Sequence, residues 1–326
     1  MTAAHELAER GFKVRVYERK PVFGGKARSI PVPNTAKGGR KPLPGEHGFR
    51  FFPSFYRHVP DTMARIPFGH NRRGVLDNLV ATDRAVLARA GLPDVTLLSR
   101  YPRGRADWQV MARGMGAFAR LVSPRDMMYY MGRWMVWLTS CEERREKEYE
   151  LLPWWDFTQA TGRSAAYQQF LGQGLTRMLV AIKAEEGSAR TVGTIAMQLW
   201  MGLMKRGVDV DRVLCGPTSD MWINPWVDHL KGMGVEFHTG AIVQRIETDG
   251  KRITGVSMER DGKSEEVKAD YYVAALPVEK MALLMTPELK EAAPSMANID
   301  KLKVAWMNGM QFYFAHEVPI IHGHAI

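Results

Sequence analysis

The sequence predicts an α/β fold interrupted by a mainly helical insertion, and three observations carry that expectation. Residues 1–18 pass from a helical period to a strand period across one glycine. Between about residues 74 and 213 the apolar spacing is helical. Beyond it, "VEFHTGAIVQRIETDGKRITGVSMERDGKSEEVKADYYVAALP" returns to short strands punctuated by Asp-Gly turns. A chain of 326 residues is long enough for about two domains.

The opening "TAAHELAERG" places Ala4, Leu7 and Ala8 on one helical face, and Gly11 follows as a stop. Residues 12–18 ("FKVRVYE") alternate like a half-buried strand and end on Glu18. Helix, tight turn and acid-tipped strand form the second half of a Rossmann-like, dinucleotide-binding βαβ unit. The first strand and its Gly-rich turn are not in the sequence. If Met1 follows the last glycine of that turn, Glu18 stands 18 residues beyond it. A ribose-binding acid is expected at a spacing of ~20. Ala4 then takes the small-residue position where helix and sheet pack closely. The nucleotide domain is therefore expected to be incomplete and the chain an internal fragment. A polypeptide of these residues alone is expected to bind its dinucleotide weakly or not at all, because the diphosphate lacks a helix N-terminus.

After the acid, "ERKPVFGGKARS" brings a glycine pair followed by basic residues. Backbone at Gly24-Gly25 can approach a diphosphate without a side-chain clash, with Lys26 or Arg28 supplying charge. An ordinary β-turn is the competing reading of the pair. In the middle region, residues 127–138 carry ten large apolar residues broken only by Gly132 and Arg133. They read as a core helix buried nearly all round. Docking on a bilayer through Tyr129, Trp134 and Trp137 is the other reading. "LTRMLVAI" and "TIAMQLWMGLM" continue the helical period. Next, "WVDHLKGMG" is a helix stopped by glycine, and "VEFHTG" and "AIVQRIETDG" are strands. Asp249-Gly250 and Asp261-Gly262 mark hairpins. "DYYVAALP" has the continuous apolarity of a strand buried on both faces of a parallel sheet, and "KVAWMNGMQFYFAHEV" reads as a further strand or two.

Apolar residues make up 45% and charged residues 25%, which is globular rather than disordered. The 20 Met and 9 Trp suit a Met-rich core, or else a greasy substrate tunnel. Cys141 and Cys215 form no CxxC pattern, so neither a disulfide framework nor a zinc site is implied and a reducing, cytoplasmic setting is the default. No basic start with an apolar h-region and no run of ~20 apolar residues is present. The net charge of +10 is dispersed and matches no nucleic-acid motif, so no nucleic-acid partner is expected. Attraction to anionic headgroups, as a peripheral membrane contact, suits the surplus better. His316, His322 and His324 lack metal-ligand spacing, and no metal is expected.

Taken together, "VYERKPVFGGKARSI" and "GEHGFRFFPSFYRH" resemble the FAD-binding region of the flavin amine oxidase and phytoene desaturase superfamily. "GFRFFPSFY" is most similar to the desaturase branch, which includes enzymes acting on phytoene and hydroxysqualene; Arg50 stands where that branch commonly has His. "GVEFHTGAIVQRIETDGKRITGV" and "ADYYVAALPVEKM" resemble two later strands of the same domain. The resemblance implies an FAD/NAD(P)-binding Rossmann-like domain, incomplete, over 1–70 and 216–280. It implies an inserted, mainly helical plus β substrate domain, partial, over 71–215 and 281–326. The C-terminal Gly-Asp segment that closes over the flavin is not in the sequence. The implied FAD-binding residues are Glu18, Arg19, Gly24, Gly25, Lys26, Ala27, Gly45, His47, Gly48, Phe49, Val243, Ala275, Leu276 and Pro277. The implied activity is hydride removal from an apolar, isoprenoid or carotenoid-type substrate by FAD. No catalytic residue is assigned. His47 and Arg50 are the polar groups nominated near the flavin, with a structural hydrogen-bonding role for His47 ranked first. A flavin amine oxidase and a truncated inactive relic are the alternatives.

Overall fold

The computed structural model describes residues 1–48, 50–88, 90–91, 94–179 and 181–326. The chain divides into two compact units. The first comprises Met1–Phe49, Val59–Asn78 and Leu214–Tyr313; the second comprises Arg50–His58, Leu79–Val213 and Phe314–Ile326. Residues 281–313, grouped with the substrate domain from sequence, thus fall in the unit that holds Glu18.

The first unit is built on one supersecondary pattern used twice. Helix Thr2–Glu9 ends at Gly11 (φ +82°), with Gly11 N–H donating to Ala8 O (3.0 Å) and Phe12 N–H to Leu7 O (3.1 Å). Helix Asn224–Gly232 ends the same way at Gly234 (φ +86°), with Gly234 N–H donating to Lys231 O (2.9 Å) and Val235 N–H to Leu230 O (3.0 Å). Both are Schellman ends, in which a glycine in the left-handed region turns the chain from helix into strand. The two strands, Arg15–Glu18 and Glu236–Thr239, then pair in parallel, Glu18 opposite Thr239.

The two helices are joined by a buried histidine. His5 is 0% exposed, and its Nδ1 accepts a hydrogen bond from Trp226 Nε1 at 3.0 Å. With Nδ1 accepting, the ring proton lies on Nε2, which faces Glu9 Oε1 at 3.2 Å. The His229 ring packs edge-on to His5 at 5.3 Å. Arg65 closes the cluster, donating to Glu6 (2.5 Å) and to Glu9. The hydrogen bond from Arg65 is the main cause that holds the Glu6 carboxyl down to about 2.

A three-stranded antiparallel sheet (Ile242–Thr248, Ile253–Arg260, Lys263–Val267) also belongs to this unit. Asp261 (φ +52°) and Gly262 (φ +73°) form the two-residue turn that the Asp-Gly pair predicts. At the other hairpin, the Asp249 carboxylate accepts from Lys251 N and Arg252 N. Tyr17 and Val256 pack on the small core of Ala241, Met258 and Val267.

Two expected strands do not form. Residues 270–277 join no ladder, Tyr271 76% and Val273 62% exposed. Burial on both faces needs packing layers above and below a laddered strand, and among the described residues no strand pairs with this segment. Residues 303–318 likewise form no strand, with Trp306 84% exposed. Gln311 and Tyr313 are instead tied to the carbonyl of Pro44 at 3.1 and 2.6 Å.

The second unit is helical, with Arg105–Leu121, Pro124–Leu138 and Ala189–Leu203 as its longest elements. Ser123 and Ser188 cap the latter two, each accepting a third-residue N–H at 3.1 Å. Their shared core is aromatic: Trp137, Trp154, Phe157 and Tyr149 with Ala184, Ala189 and Val192. Gly193 is needed there, because a Cβ would lie 2.3 Å from Trp137 Nε1. The expectation that 127–138 is buried nearly all round is corrected: Trp137 is buried, whereas Met128 and Met135 are 76% and 55% exposed. The flat rings fill the helix contact, which leaves the methionines outside. The Gly323–Ala325 strand lies parallel to Arg84–Leu87, which pairs antiparallel with Val95–Leu98.

Burial lowers the pKa of His5 and of His229 below the ordinary histidine value. The unfolded chain takes up those protons as pH falls through about 6.5, while the folded chain resists. Their contribution to stability is complete above that pH and is lost as pH falls towards the lowered folded values. Glu6, titrating at about 2, stays ionised throughout the window. The urea midpoint is expected to fall between about pH 7.5 and about pH 5.5, and His5→Leu to flatten that slope while lowering the midpoint at both.

Candidate functional site

A ligand in an open parallel sheet binds outside the carboxyl ends of the strands. That edge here is Glu18 and Thr239. The half-buried Glu18 carboxylate is fixed by its own chain, Oε1 accepting from Lys20 N at 2.9 Å, while its carbonyl accepts from Ala241 N at 3.1 Å. The chain then folds back, Phe23 packing edge-on to Phe237 of the neighbouring strand at 4.8 Å.

The two glycines that follow have different roles. Gly24 has φ +102°, and a Cβ there would lie 2.8 Å from Ile223 Cγ2, so it lets the turn pack on the 219–223 segment. Gly25 has φ +55° and nothing within 4 Å of a Cβ position, so its backbone borders open space. The turn is closed by Ala27 N–H donating to Gly24 O (2.8 Å) and Arg28 Nη1 donating to Gly25 O (2.5 Å). Lys26 Nζ lies 3.4 Å from Glu279 Oε1. That contact brings the turn beside the short helix Val278–Met281, whose N-cap is Pro277, with Ala275 and Leu276 exposed just before it.

Behind the turn is a knot that the sequence analysis missed. Ser29 N–H donates to Ser219 Oγ (2.9 Å), Ser219 N–H returns a bond to Ser29 Oγ (3.0 Å), and Ser29 Oγ donates to Glu46 Oε1 (2.6 Å). Glu46 Oε1 also accepts from Thr218 N at 3.0 Å. Glu46 stood inside the quoted "GEHGF" stretch, but Thr218 lies 172 residues from it and Ser219 lies 190 residues from Ser29, separations that leave no local signal. Gly45 is placed by pairing with Ile30, where a Cβ would sit 3.2 Å from the Ile30 carbonyl.

Gly24, Gly25, Lys26 and Ala27 thus share one turn, which the Lys26–Glu279 pair brings beside the helix that Pro277 caps, and Glu18 ends the strand that leads into that turn. Val243, half-buried opposite Met258, lies two residues beyond Ala241. Arg19 is exposed next to Glu18, and His47 and Gly48 are exposed beyond Glu46. Phe49 lies outside the described residues. Arg50 belongs to the second unit and is half-buried. There too, His324 is bonded to Asp211 and His322 lies 3.6 Å from Asp83.

The set suits a dinucleotide. A strand-end carboxylate can accept from ribose hydroxyls, and the open glycine edge can take a diphosphate against backbone N–H groups. Residues 1–310 match the family of flavin containing amine oxidoreductases. The chain belongs to that family. Its cofactor is accordingly FAD and its fold the mixed α/β fold of FAD-binding oxidoreductases. No curated protein matches the sequence. Among solved structures, the chain is similar to an oxidoreductase from Methanosarcina mazei, at 15% identity and TM-score 0.58 over 92% of this chain and 62% of that one. It is similar to a putrescine oxidase bound to putrescine, at 15% identity and TM-score 0.50 over 87% of this chain and 57% of that one. A protein from Exiguobacterium assigned as a protoporphyrinogen oxidase matches at 17% identity and TM-score 0.50 over 89% and 60%. At these identities the likeness is one of fold. The chain spans about three fifths of the length of these structures.

The two glycines of the turn are separable by substitution. Gly24→Ala combines a left-handed φ with the clash on Ile223 and is expected to cost about 3 kcal/mol. Gly25→Ala carries the conformational cost alone, about 1 kcal/mol. Urea denaturation of the two variants measures the difference.

Proposed function

We propose that this chain is the larger part of an FAD-dependent oxidoreductase that takes hydride from an apolar, isoprenoid or carotenoid-type substrate. The observation that carries the flavin half of this reading is the Glu18 carboxylate at the carboxyl end of a parallel strand pair, beside the Gly24-Gly25 turn. Bound FAD supplies the hydride acceptor. Glu18 accepts from the ribose hydroxyls, its orientation set by the bond from Lys20 N. Gly25 presents its open backbone to the diphosphate, and the bonds among Ser29, Ser219 and Glu46 keep the turn from shifting. Rigid placement of the cofactor is the protein's main contribution to a reaction that needs little acid-base apparatus.

The substrate class rests on the similarity of "GFRFFPSFY" to the desaturase branch and on the aromatic composition of the second unit. No described helix is long and apolar enough to cross a membrane. The exposed Met128, Met135 and Trp200 support a peripheral contact with the lipid phase where such substrates reside. Amine oxidation is the second reading, favoured by the fold shared with a putrescine oxidase.

The protein carrying this chain is expected to lose about tenfold in FAD affinity on Glu18→Gln, read by flavin fluorescence titration, since a charged hydrogen-bond acceptor becomes neutral. Unchanged affinity would overturn the assignment of the ribose site. Anaerobic mixing with phytoene-type, squalene-type and amine substrates is expected to bleach the flavin absorbance with a polyene or isoprenoid; bleaching by amines alone would establish the second reading.

A further inference from the structure

The second unit contains a cleft that the flavin chemistry does not use. It has a volume of about 490 Å³ and is lined by Arg100, Tyr101, Arg103, Arg105, Trp108 and Arg206, together with Pro102, Gly104, Gly207 and Val208. Among the described residues, none of those lining it is acidic. Its walls are the 100–105 and 206–208 segments, drawn together by a bridge between Arg100 and Asp209.

The four guanidinium groups are not equivalent. Arg100 is largely buried and committed to structure, with Nε donating to Asp83 Oδ1 (2.7 Å) and Nη1 to Asp107 Oδ2 (2.6 Å). Those bonds tie both carboxylates to Arg100. Arg103 is 64% exposed, with Asp209 at 3.8 Å. Arg206 is exposed and lies 5.3 Å over the Tyr101 ring. Arg105 is exposed at the first position of the 17-residue Arg105–Leu121 helix, whose N-cap, Gly104, has no side chain to accept from the first-turn N–H groups. Trp108 stands half-exposed, edge-on to Tyr101 at 6.4 Å.

Three exposed guanidinium forks on one cleft, Arg103 with Asp209 at 3.8 Å, match the several oxygens of a phosphate better than the two of a carboxylate. The positive end of the helix dipole adds to them. Tyr101 and Trp108 offer ring surface to whatever the phosphate carries, and the volume exceeds what one inorganic phosphate fills. The geometry points to a binding site for a phosphate ester or diphosphate with an apolar or planar body, seated between Arg103, Arg105 and Arg206 against Tyr101 and Trp108. The same chemistry is presented by a soluble phosphate ester and by a phospholipid headgroup.

Calorimetric titration with inorganic pyrophosphate, and co-sedimentation with phosphatidylcholine vesicles with and without phosphatidic acid, test the site and separate the two sources. The comparison is the doubly substituted chain Arg105→Ala, Arg206→Ala. Both side chains are exposed, so its urea midpoint is expected to match the parent. Pyrophosphate binding that weakens about tenfold or more in this variant, and with added salt, supports a soluble ligand. Sedimentation that requires phosphatidic acid and is lost in the variant supports a headgroup. A diphosphate taken instead at the Gly25 turn is insensitive to the two substitutions. Absence of both signals, or signals undiminished in the variant, overturns the proposal.

Discussion

The parallel pairing of Arg15–Glu18 with Glu236–Thr239 is the constraint on which the first unit depends. It joins segments more than 200 residues apart, and so carries a large loop-closure cost that local contacts cannot offset. What offsets it is the pair of helices behind the strands, locked by the bond between Trp226 and a fully buried His5, 221 residues distant in the chain. The buried imidazole is held by the bond from Trp226 to Nδ1, while Nε2 lies 3.2 Å from the Glu9 carboxylate without a hydrogen bond. With the strands in register, an acid at one strand end stands where an α/β sheet presents its ligands.

From that edge outward the site is assembled by steric permission rather than by attraction. Gly24 allows a close approach that any side chain would block, and Gly25 leaves backbone uncovered. Charges one would assign to a ligand are partly engaged within the protein: Lys26 with Glu279, Arg28 with the carbonyl of Gly25. The diphosphate-facing element of the turn is therefore its backbone, with the basic side chains holding the turn in shape. The second unit follows a different principle, a core of stacked and edge-on rings with flexible methionines left outside.

Much of this was legible in the residues. Glycine stops after amphipathic helices and Asp-Gly turns act within a few residues of themselves, and each formed where its local chemistry required. Glu18 and the glycine pair were likewise visible, because a strand-end acid and a glycine doublet are local features. The continuous apolar runs at 270–277 and 303–318 misled, since apolarity records a demand for neighbours and not their presence.

By itself, then, the sequence determined the helices, the turns and the chemical character of the strand-end edge, all set by interactions between near neighbours along the chain. Only tertiary structure decided that Ser29, Glu46, Thr218 and Ser219 tie the glycine turn in place, that Ile223 makes Gly24 obligatory, and that four arginines from two distant segments share one cleft. Those contacts depend on which remote segments the folded chain brings within hydrogen-bonding or van der Waals reach, and no local pattern of residue types encodes that distance.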